Sequence, residues 1–521
     1  MRNRLRFFVL ILSLLSLTSQ AFCQSAIPQR LNRQKTTDTK VYYSVFVQSF
    51  YDANGDGIGD LEGLISKLDY LQELGIGGIW LLPVHPSPTY HKYDVVDYKA
   101  IHPDYGNLND YKQLVEEAHK RNMTVLLDFV VNHSSNQHPW FVSASQDRKS
   151  SFRDYYVWSD DEADFEKEPF HWHQIRNENG ELQDGSRYYG FFWWEMPDLN
   201  LANRKLRKEV INIARFWLED IGIDGFRLDA IKYIFPEDQL DNNLDWWSYF
   251  RKGINKSGKD PFVVAEIWGT SGEVAPYLGH GISAGFNFEL SDSIKMSLQD
   301  GVNHNVAETV IRAYQKFGEE NDSFEDAIFL TNHDMNRIMT EIKGNETLAK
   351  AAAVLLFTLP GNPFVYYGEE IGMLGEKPDE FIREPFLWDI EGEDEGQTHW
   401  EIPYASSSKT VKPLSFQRTD SRSVYNTYKK LIHLRNESPG LYQGGLIPLK
   451  TANDHVLAYF RTADLDHYLI IINLSEEIQE ISSPASLSRY DMVFGSHPVF
   501  KGGEETIYLQ PYSSFILKRH E

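Results

Sequence analysis

Three acidic residues, Asp229, Glu266 and Asp334, each close a short and largely apolar segment of the chain. The three segments span residues 225–229, 261–266 and 327–334. Short apolar runs separated by helical-looking sequence predict a parallel sheet covered by helices. In a closed parallel barrel, the C-terminal ends of the strands converge on one mouth. Carboxyl groups that meet there repel one another, so one stays protonated while another stays ionised, as the cleavage of a glycosidic bond requires.

The neighbours of these acids predict how the protons are distributed. Arg227 lies two residues before Asp229 and therefore on the same face of the strand, where it is expected to lower the pKa of Asp229. Glu266 follows an apolar strand and precedes Trp268, so removal of water is expected to raise the pKa of Glu266. The sequence thus predicts one ionised and one protonated carboxyl group.

The elements that position these acids form an eightfold pattern. Amphipathic segments such as Asp110–Arg121 and Arg204–Glu219 alternate with strand-like runs, which predicts an α/β fold of the (β/α)8 TIM barrel type. No glycine-rich phosphate loop follows a strand, which disfavours a nucleotide-binding sheet. The predicted strands are Val41–Val47, Ile76–Leu82, Thr124–Val131, Ile223–Leu228, Phe262–Ala265, Ala284–Phe288, Ala327–Leu330 and Phe364–Tyr367.

Two regions depart from the barrel pattern. About seventy residues rich in Trp, Tyr, Asp and His follow the third strand, and they predict an inserted subdomain over the mouth. After residue 440 the pattern becomes alternating short strands, which predicts a C-terminal antiparallel β-sandwich. The predicted domains are a barrel at 40–133 and 201–439, an insert at 134–200 and a sandwich at 440–521.

Composition limits the classes of partner. The chain has 521 residues, 41% of them apolar, and a formal net charge of −24. This charge excludes nucleic acid and anionic membrane surfaces as expected partners, and it fits a neutral substrate together with a bound cation. The oligomeric state stays open.

The N-terminus resembles an export signal. Basic residues precede the apolar stretch Phe7–Leu17, which is too short to span a bilayer, so residues 1–23 are predicted to be a signal peptide. Residues 24–39 are predicted to be a flexible leader. Cys23, the single cysteine, provides the alternative of a lipid anchor, but Phe22 before it fits that signal poorly. An exported protein, periplasmic or extracellular, is expected.

Four motifs in order along the chain resemble those of the alpha-amylase family of glycoside hydrolases. They fall on the predicted third, fourth, fifth and seventh strands, and the resemblance runs from about residue 40 to the C-terminus. The motifs are Asp128–His133, Gly225–Lys232, Val264–Trp268 and Phe329–Asp334, with further matches at Met196–Asn200 and Gly361–Ile371.

The resemblance implies roles for the three acids. Asp229 corresponds to the catalytic nucleophile, Glu266 to the general acid/base, and Asp334 to the acid that orders sugar hydroxyls and stabilises the transition state. It also implies a retaining mechanism, in which the two reacting carboxyl groups lie roughly 5–5.5 Å apart.

The resemblance also implies which residues bind sugar. His133 and His333 correspond to histidines that bind hydroxyls at the point of cleavage, and Tyr93 to a tyrosine that stacks on the same sugar. Asp94 and Arg227 belong to the same motifs and are predicted to contact substrate. Arg383, after the eighth strand, is assigned either to sugar binding or to a structural ion pair.

A calcium loop is predicted after the first strand. Asp52, Asn54, Asp56 and Asp60 place side-chain oxygens at alternate positions, and glycines between them permit a tight turn, a pattern that suits a hard cation. The loop resembles a calcium loop of part of the same family, in which Ile58 would contribute its carbonyl oxygen. Structural Ca²⁺ is therefore the expected cofactor, and a solvated acidic turn is the alternative.

The expected function is endo-cleavage of α-1,4-glucosidic bonds in starch, maltodextrins or related α-glucans. Tyr90 occupies a position where family members that trim single glucose units carry an acid, and Ala230 resembles members acting on α-1,4 links. A neopullulanase, a cyclomaltodextrinase or a transglycosylase is the alternative within the family. A non-catalytic relative is disfavoured because Asp229, Glu266 and Asp334 are all present.

Overall fold

The computed structural model describes residues 40–176, 182–482, 487–495, 499–501 and 506–520. The predicted signal peptide, the leader and Cys23 lie outside the described residues.

Eight parallel strands close into a barrel, which confirms the predicted fold. Each strand pairs with the next along the chain, and the eighth pairs with the first. Their side chains are almost all buried, as expected for strands covered by helices. The strands are β1 (Tyr42–Val45), β2 (Gly78–Leu81), β3 (Thr124–Phe129), β4 (Gly225–Leu228), β5 (Phe262–Ala265), β6 (Ala284–Phe286), β7 (Glu325–Phe329) and β8 (Asn362–Tyr366).

Helices surround the barrel because their apolar residues recur at helical spacing. Helix Leu108–Lys120 buries Tyr111, Leu114, Val115 and Ala118 on one face, and its N-terminus is closed by a capping box from Asn107. The other helices outside the insert are Leu61–Ser66, Leu68–Leu74, Arg204–Phe216, Leu240–Ile254, Ser271–Leu278, Phe288–Asp300, Val306–Glu320, Ile338–Glu341, Glu346–Thr358, Asp379–Ile382, Leu414–Gln417, Val424–Asn436 and Pro439–Tyr442.

The segment between β3 and β4 folds as a small unit over the barrel mouth. A three-stranded antiparallel sheet has Trp158–Ser159 and Trp172–Arg176 on either side of Leu182–Tyr189. Helices Pro139–Gln146 and Glu162–Lys167 accompany it. Backbone pairing of His133 with Asp198 joins its end to the loop after β3, so the insert returns the chain beside the mouth.

Two antiparallel sheets form the C-terminal region. One face of the five-stranded sheet packs against the barrel through residues such as Leu457 and Tyr459, and the other face packs against the three-stranded sheet through Val456 and Ala458. The five strands are Gly445–Leu449, Val456–Ala463, Asp466–Asn473, Ser514–Arg519 and Tyr490–Phe494. The three strands are Gln479–Ser482, Thr506–Leu509 and Val499–Lys501.

Within the described part of the chain, the helices are all too short or too polar to cross a membrane.

Candidate active site

The register of the barrel strands brings the acidic motifs together. Asp128 of β3 lies directly opposite Arg227 of β4. Glu266 follows β5, and its N–H donates to the carbonyl of Leu228 at 3.0 Å. Because Asp229 follows Leu228, parallel pairing places Asp229 and Glu266 on neighbouring strand ends at the C-terminal mouth of the barrel.

Arg227 is the centre of a buried ionic cluster. Its Nη1 donates to Asp229 Oδ1 at 2.6 Å and to Asp128 Oδ1 at 3.0 Å, and its Nη2 lies 2.9 Å from Glu266 Oε1. The side chains of Arg227 and Asp128 are fully buried, and those of Asp229 and Glu266 are 10% and 7% exposed. One rigid fork of donors therefore fixes three carboxyl groups relative to one another.

The expected low pKa of Asp229 is wrong. Burial raises the pKa of Asp229 well above its usual value, and Arg227 offsets this only in part because Glu266 and Asp128 add negative charge. Sequence reasoning counted the neighbouring cation and omitted the loss of water. Because the carboxyl groups share one guanidinium, they titrate as a group, and a proton retained there belongs to the group.

Glu266 is held by two N–H donors and by an ion pair with Arg227. Arg227 and the indole Nε1 of Trp268 both approach Oε1 at 2.9 Å, and the backbone N–H of Ala230 donates to Oε2 at 3.1 Å. The side chain is 6% exposed. The orientation of the Glu266 side chain is therefore fixed, and a small part of its surface faces the cleft.

Asp334 lies in the loop after β7, together with His333. His333 Nε2 approaches Asp334 Oδ2 at 2.9 Å, and Arg383 Nη2 donates to Asp334 Oδ1 at 2.9 Å. Burial, the largest single influence, raises the pKa of Asp334, but His333 and Arg383 together set it well below its usual value. Asp334 is thus an ionised hydrogen-bond acceptor.

Tyr93 connects this loop to the Arg227 cluster. Its ring stacks on His333 with centroids 5.6 Å apart. Its hydroxyl lies 2.5 Å from His333 Nε2 and donates to Asp128 Oδ2 at 3.2 Å. Of these two predicted sugar-binding residues, Tyr93 lines the cleft, whereas His333 is fully buried behind it.

Arg383 takes part in an ion-pair network and lies at the cleft, and its contact with sugar stays a prediction. Its Nη2 donates to Asp334 Oδ1 at 2.9 Å and to Asp379 Oδ2 at 3.0 Å, which makes it part of an ion-pair network. Its side chain also lines the cleft, beside Lys377. A structural ion pair and sugar contact are compatible at this position.

The cleft at the mouth has a volume of about 480 Å³ and mixed polar and aromatic walls. His133 lines it, and burial lowers the pKa of His133 to about 3, so its imidazole is neutral. Phe192 and Trp193, from the end of the insert, close one side, with Phe192 packed edge-on against His133 at 5.4 Å. The insert therefore supplies part of the cleft wall.

Asp94 does not line the cleft. It is fully buried, and its Oδ1 accepts hydrogen bonds from the hydroxyls of Ser87 and Thr89. The substrate contact at Asp94 stays a prediction. Its carboxylate braces the loop that presents Tyr93.

Sequence reasoning missed Asp128 as a functional residue, although it opens the first motif. Asp128 is fully buried and accepts from Arg227, Tyr93 and the indole of Trp80. An acid inside an otherwise apolar strand is the signal that could have identified it, since a buried charge requires a partner. His91, Tyr233 and Asp379 also line the cleft and were not predicted.

The predicted calcium loop closes on its own backbone. Asp52 is buried and accepts the N–H groups of Gly55 and Gly57 at 2.7 and 2.6 Å, and Asp60 accepts from Ala53 and caps the following helix. The oxygen donors are of the type that calcium takes. Within the described residues, however, no group of three or more His, Cys, Asp or Glu side chains is placed to hold a metal ion.

The exposed members of this loop follow the same pattern. Asn54 accepts the N–H of Asp56, and Asp56 accepts the N–H of Ile58. The calcium assignment therefore stays a prediction based on donor type.

Comparison with known proteins identifies relatives of the whole chain. The model of the alpha amylase catalytic domain matches residues 44–444. Alpha-amylase 3 of Dictyoglomus thermophilum is 40% identical over 92% of this chain and 93% of its own length.

Another relative has a different name, and a solved structure that matches this chain is again that of an alpha-amylase. The 4-alpha-glucanotransferase of Thermotoga neapolitana is 32% identical over 91% of this chain and 99% of its own. The crystal structure of an alpha-amylase from H. orenii superposes with a TM-score of 0.82 at 39% identity, covering 93% of this chain and all of that one.

Proposed function

This chain belongs to the alpha-amylase family of glycoside hydrolases, and from that premise we propose that it cuts internal α-1,4-glucosidic bonds with retention of configuration. Members of this family are enzymes that act on O-glycosyl bonds. The proposal concerns the linkage, the place of cutting and the residues that do the work.

The observation that carries the proposal is the shared contact of Asp229 and Glu266 with one guanidinium. Arg227 reaches Asp229 at 2.6 Å and Glu266 at 2.9 Å. Two carboxyl groups held against one fork of donors favour the close spacing of a retaining mechanism over the wider spacing that admits a water molecule.

In the proposed reaction, ionised Asp229 attacks the anomeric carbon while Glu266 gives its proton to the departing glycosidic oxygen. Water then attacks the glycosyl-enzyme bond and returns a proton to Glu266, which frees Asp229. The productive form of the cluster has one proton on Glu266 and none on Asp229. Asp334, ionised at neutral pH, would accept hydrogen bonds from sugar hydroxyls that strengthen as positive charge develops on the ring.

Features beside the cleft support internal cutting. Tyr90 stacks on Trp400 with centroids 5.4 Å apart, and its hydroxyl accepts from Arg383 at 3.4 Å. The ring of Tyr90 thus lies beside Arg383, at the position where family members that trim single glucose units carry an acid. The relatives from D. thermophilum and H. orenii are both named alpha-amylases.

The testing experiment follows products from soluble starch and maltoheptaose over time, with wild type beside Glu266→Gln. Glutamine keeps the size of the side chain but has no proton to transfer at this oxygen. We expect early mixed oligosaccharides from the wild type, with the α configuration at new ends by NMR, and a loss of about 10²–10⁴-fold in the variant. Glucose or maltose alone from the start would overturn internal cutting, and full activity in the variant would overturn the role of Glu266.

Transfer to a second sugar is the alternative that a specific finding favours. The similarity to a 4-alpha-glucanotransferase covers nearly all of both chains. Water and a sugar hydroxyl attack the same intermediate, so the acids are the same in both reactions. Products longer than maltoheptaose in the same time course would favour transfer.

Two further proposals concern the environment of the enzyme. We propose that the loop formed by Asp52, Asn54, Asp56, Ile58 and Asp60 binds structural Ca²⁺, on the strength of its oxygen donors. We also propose export from the cell, on the strength of the N-terminal residues. N-terminal sequencing of protein recovered outside the cytoplasm tests the second: a new N-terminus near residue 24 supports it, and an intact Met1 contradicts it.

A further inference from the structure

We propose that Trp268 is a positioning residue that directs the catalytic proton to one oxygen of Glu266, namely Oε2. The inference rests on the proposed function, because it assigns the atom through which Glu266 acts as an acid. Neither the family match nor the names of the relatives say anything about Trp268.

The two oxygens of Glu266 have different surroundings. Oε1 accepts the indole N–H of Trp268 at 2.9 Å and forms an ion pair with Arg227 Nη2, also at 2.9 Å. The Trp268 N–H and the Arg227 cation occupy both in-plane lone pairs of Oε1, so a proton on Oε1 would displace one of these two partners. Oε1 is therefore the carbonyl-like oxygen of the protonated group.

Oε2 has room for the proton. Its only protein contact among the described hydrogen bonds is the backbone N–H of Ala230 at 3.1 Å. An O–H oxygen can still accept this bond while it donates its own hydrogen toward the cleft. Ala230 adopts a left-handed conformation, with φ of 50°, that aims its N–H at Oε2 from beside Asp229.

Trp268 is fixed well enough to act in this way. Its ring stacks on Phe288 with centroids 4.3 Å apart, and the ammonium of Lys232 donates to its carbonyl at 2.6 Å. The ring is also 39% exposed and lines the cleft, so a bound sugar can contact it without displacing Glu266.

In the proposed acid step, one bond breaks, one bond forms and one proton moves. The bond between the anomeric carbon and the glycosidic oxygen breaks, and that oxygen takes the proton from Oε2. A carboxylate oxygen of Asp229 forms the new bond to the anomeric carbon. Glu266 is left ionised, and the N–H groups of Trp268 and Arg227 stabilise the charge that remains on Oε1.

The titratable groups that face Glu266 come from neighbouring elements. They are Arg227 in β4, Asp229 directly after β4, Asp128 in β3, and Tyr233 in the loop after β4. The uncharged indole of Trp268 is the member of this set of contacts that can be changed without adding or removing a charge.

The test replaces Trp268 with phenylalanine and with the isosteric 3-benzothienylalanine, which keeps the ring but has sulfur in place of the N–H. Each variant is assayed on maltoheptaose and on 2-chloro-4-nitrophenyl α-maltotrioside, whose phenolate leaves without a proton. We expect kcat on maltoheptaose to fall about 10- to 100-fold, and hydrolysis of the aryl substrate to change less than about threefold.

The pH profile gives a second readout. The indole N–H stabilises the negative charge left on Glu266 after proton transfer, so its removal should move the alkaline limb of kcat/KM to higher pH. Trp193→Phe is the matched control, because Trp193 lines the same cleft without contacting Glu266. The control should affect both substrates in equal proportion and leave the limb in place.

Equal losses on both substrates in the benzothienyl variant, with an unmoved alkaline limb, would overturn the proposal and leave Trp268 a stacking residue only. A wild type inactive on both substrates would instead refute the proposed function. The isosteric variant keeps the test valid if Trp268→Phe fails to fold.

Discussion

At the scale of single residues, the cleft depends on one buried cation. Arg227 contacts Asp128, Asp229 and Glu266 through two nitrogens, so its planar guanidinium sets the distances among all three carboxyl groups. A lysine at the same place would keep the charge, but its single ammonium could not reach three acceptors. Geometry and charge can therefore be separated by substitution.

Arg227→Lys should abolish most of the activity while the chain still folds. We expect kcat on maltoheptaose to fall by at least about 10²-fold, the cost of a misplacement of about 1 Å at a reacting group. Stability should fall by up to about 3–5 kcal/mol, because buried carboxyl groups lose a partner. Steady-state kinetics and urea unfolding measure the two effects.

Arg215→Lys is the control for this substitution. Arg215 pairs with Glu219 at 2.7 Å on the surface, where such pairs contribute little. Both its activity and its stability should match wild type. Near-normal kcat in Arg227→Lys would show that charge alone suffices at this position.

The residues of the site were predictable to different degrees. Asp229, Glu266 and Asp334 were found because strand ends converge wherever a barrel closes, and strand ends can be recognised from apolar runs. The direction in which the pKa of Asp229 shifts was not predictable, because burial depends on how much water the neighbouring strands exclude. The burial of Asp94 and its hydrogen bonds to Ser87 and Thr89 were not predictable either, because they depend on a loop conformation that no periodic pattern encodes.

At the scale of elements, all eight barrel strands were predicted. The observed ends of some strands differ from the predicted ends, for identifiable reasons. β7 begins at Glu325, two residues before the predicted start, since Glu325 and Asp326 pair with β6 and Asp326 accepts from Asn287. Strand Gly445–Leu449 was not predicted because its glycine and proline resemble a turn. Pairing with a neighbour overrides the local preference in both cases.

The short turn after β8 buries two adjacent acids. Glu369 accepts from Tyr428 at 3.0 Å, and Glu370 accepts from Tyr43 and Tyr70 at 2.7 and 2.5 Å. Burial raises the pKa of Glu369 from 4.5 to about 8. Between these two pH values the folded protein binds a proton that the unfolded chain releases, so stability falls as pH rises.

Glu369→Gln should remove this pH dependence. Glutamine is neutral at every pH, so the variant should be more stable than wild type at pH 8.5 and nearly equal to it at pH 4.5. The difference should grow by up to about 1.4 kcal/mol per pH unit within that window. Melting temperatures across this pH range measure it.

Glu73→Gln provides a control of opposite sign. Glu73 forms surface ion pairs, and its hydrogen bond with Lys429 helps to lower its pKa, so its contribution is present above its unfolded pKa and is lost in acid. That variant should be slightly less stable at pH 8.5. A Glu369→Gln protein less stable than wild type at every pH would show that Glu369 is ionised in the fold.

At the scale of the whole molecule, a buried arginine joins the barrel to the C-terminal sheets, and a second buried arginine binds the same helix end from within the barrel. Arg461 of the five-stranded sheet donates to the carbonyl of Thr358, at the end of helix Glu346–Thr358, and to that of Gly444 at 2.8 Å. Arg435 donates to the carbonyls of Phe357 and Leu359 at 2.8 and 2.9 Å. Cations at a helix C-terminus are favourable, so this helix end is where the two regions are fastened together.

The loop after β1 makes a second long-range connection. The N–H of Asp52 donates to the carbonyl of Gly396 at 2.8 Å, and the N–H of His399 donates to the carbonyl of Gly57 at 2.9 Å. His399 directly precedes Trp400, and the ring of Trp400 stacks on Tyr90 near the cleft. A cation bound in this loop would therefore stabilise parts of the chain that lie more than three hundred residues apart.

Calcium removal should accordingly lower the melting temperature without changing the chemistry of the cleft. By mass action, a ligand at about 100 times its Kd stabilises the fold by about 2.7 kcal/mol. We expect calorimetry to show this gain when calcium is added after chelation, and Asp56→Ala to reduce it, whereas Asp238→Ala, at an exposed site outside the loop, should retain it in full. Equal melting temperatures with and without chelator in the wild type would refute the calcium proposal and favour a solvated turn, because the loop would then rest on its own N–H bonds to Asp52 and Asp60.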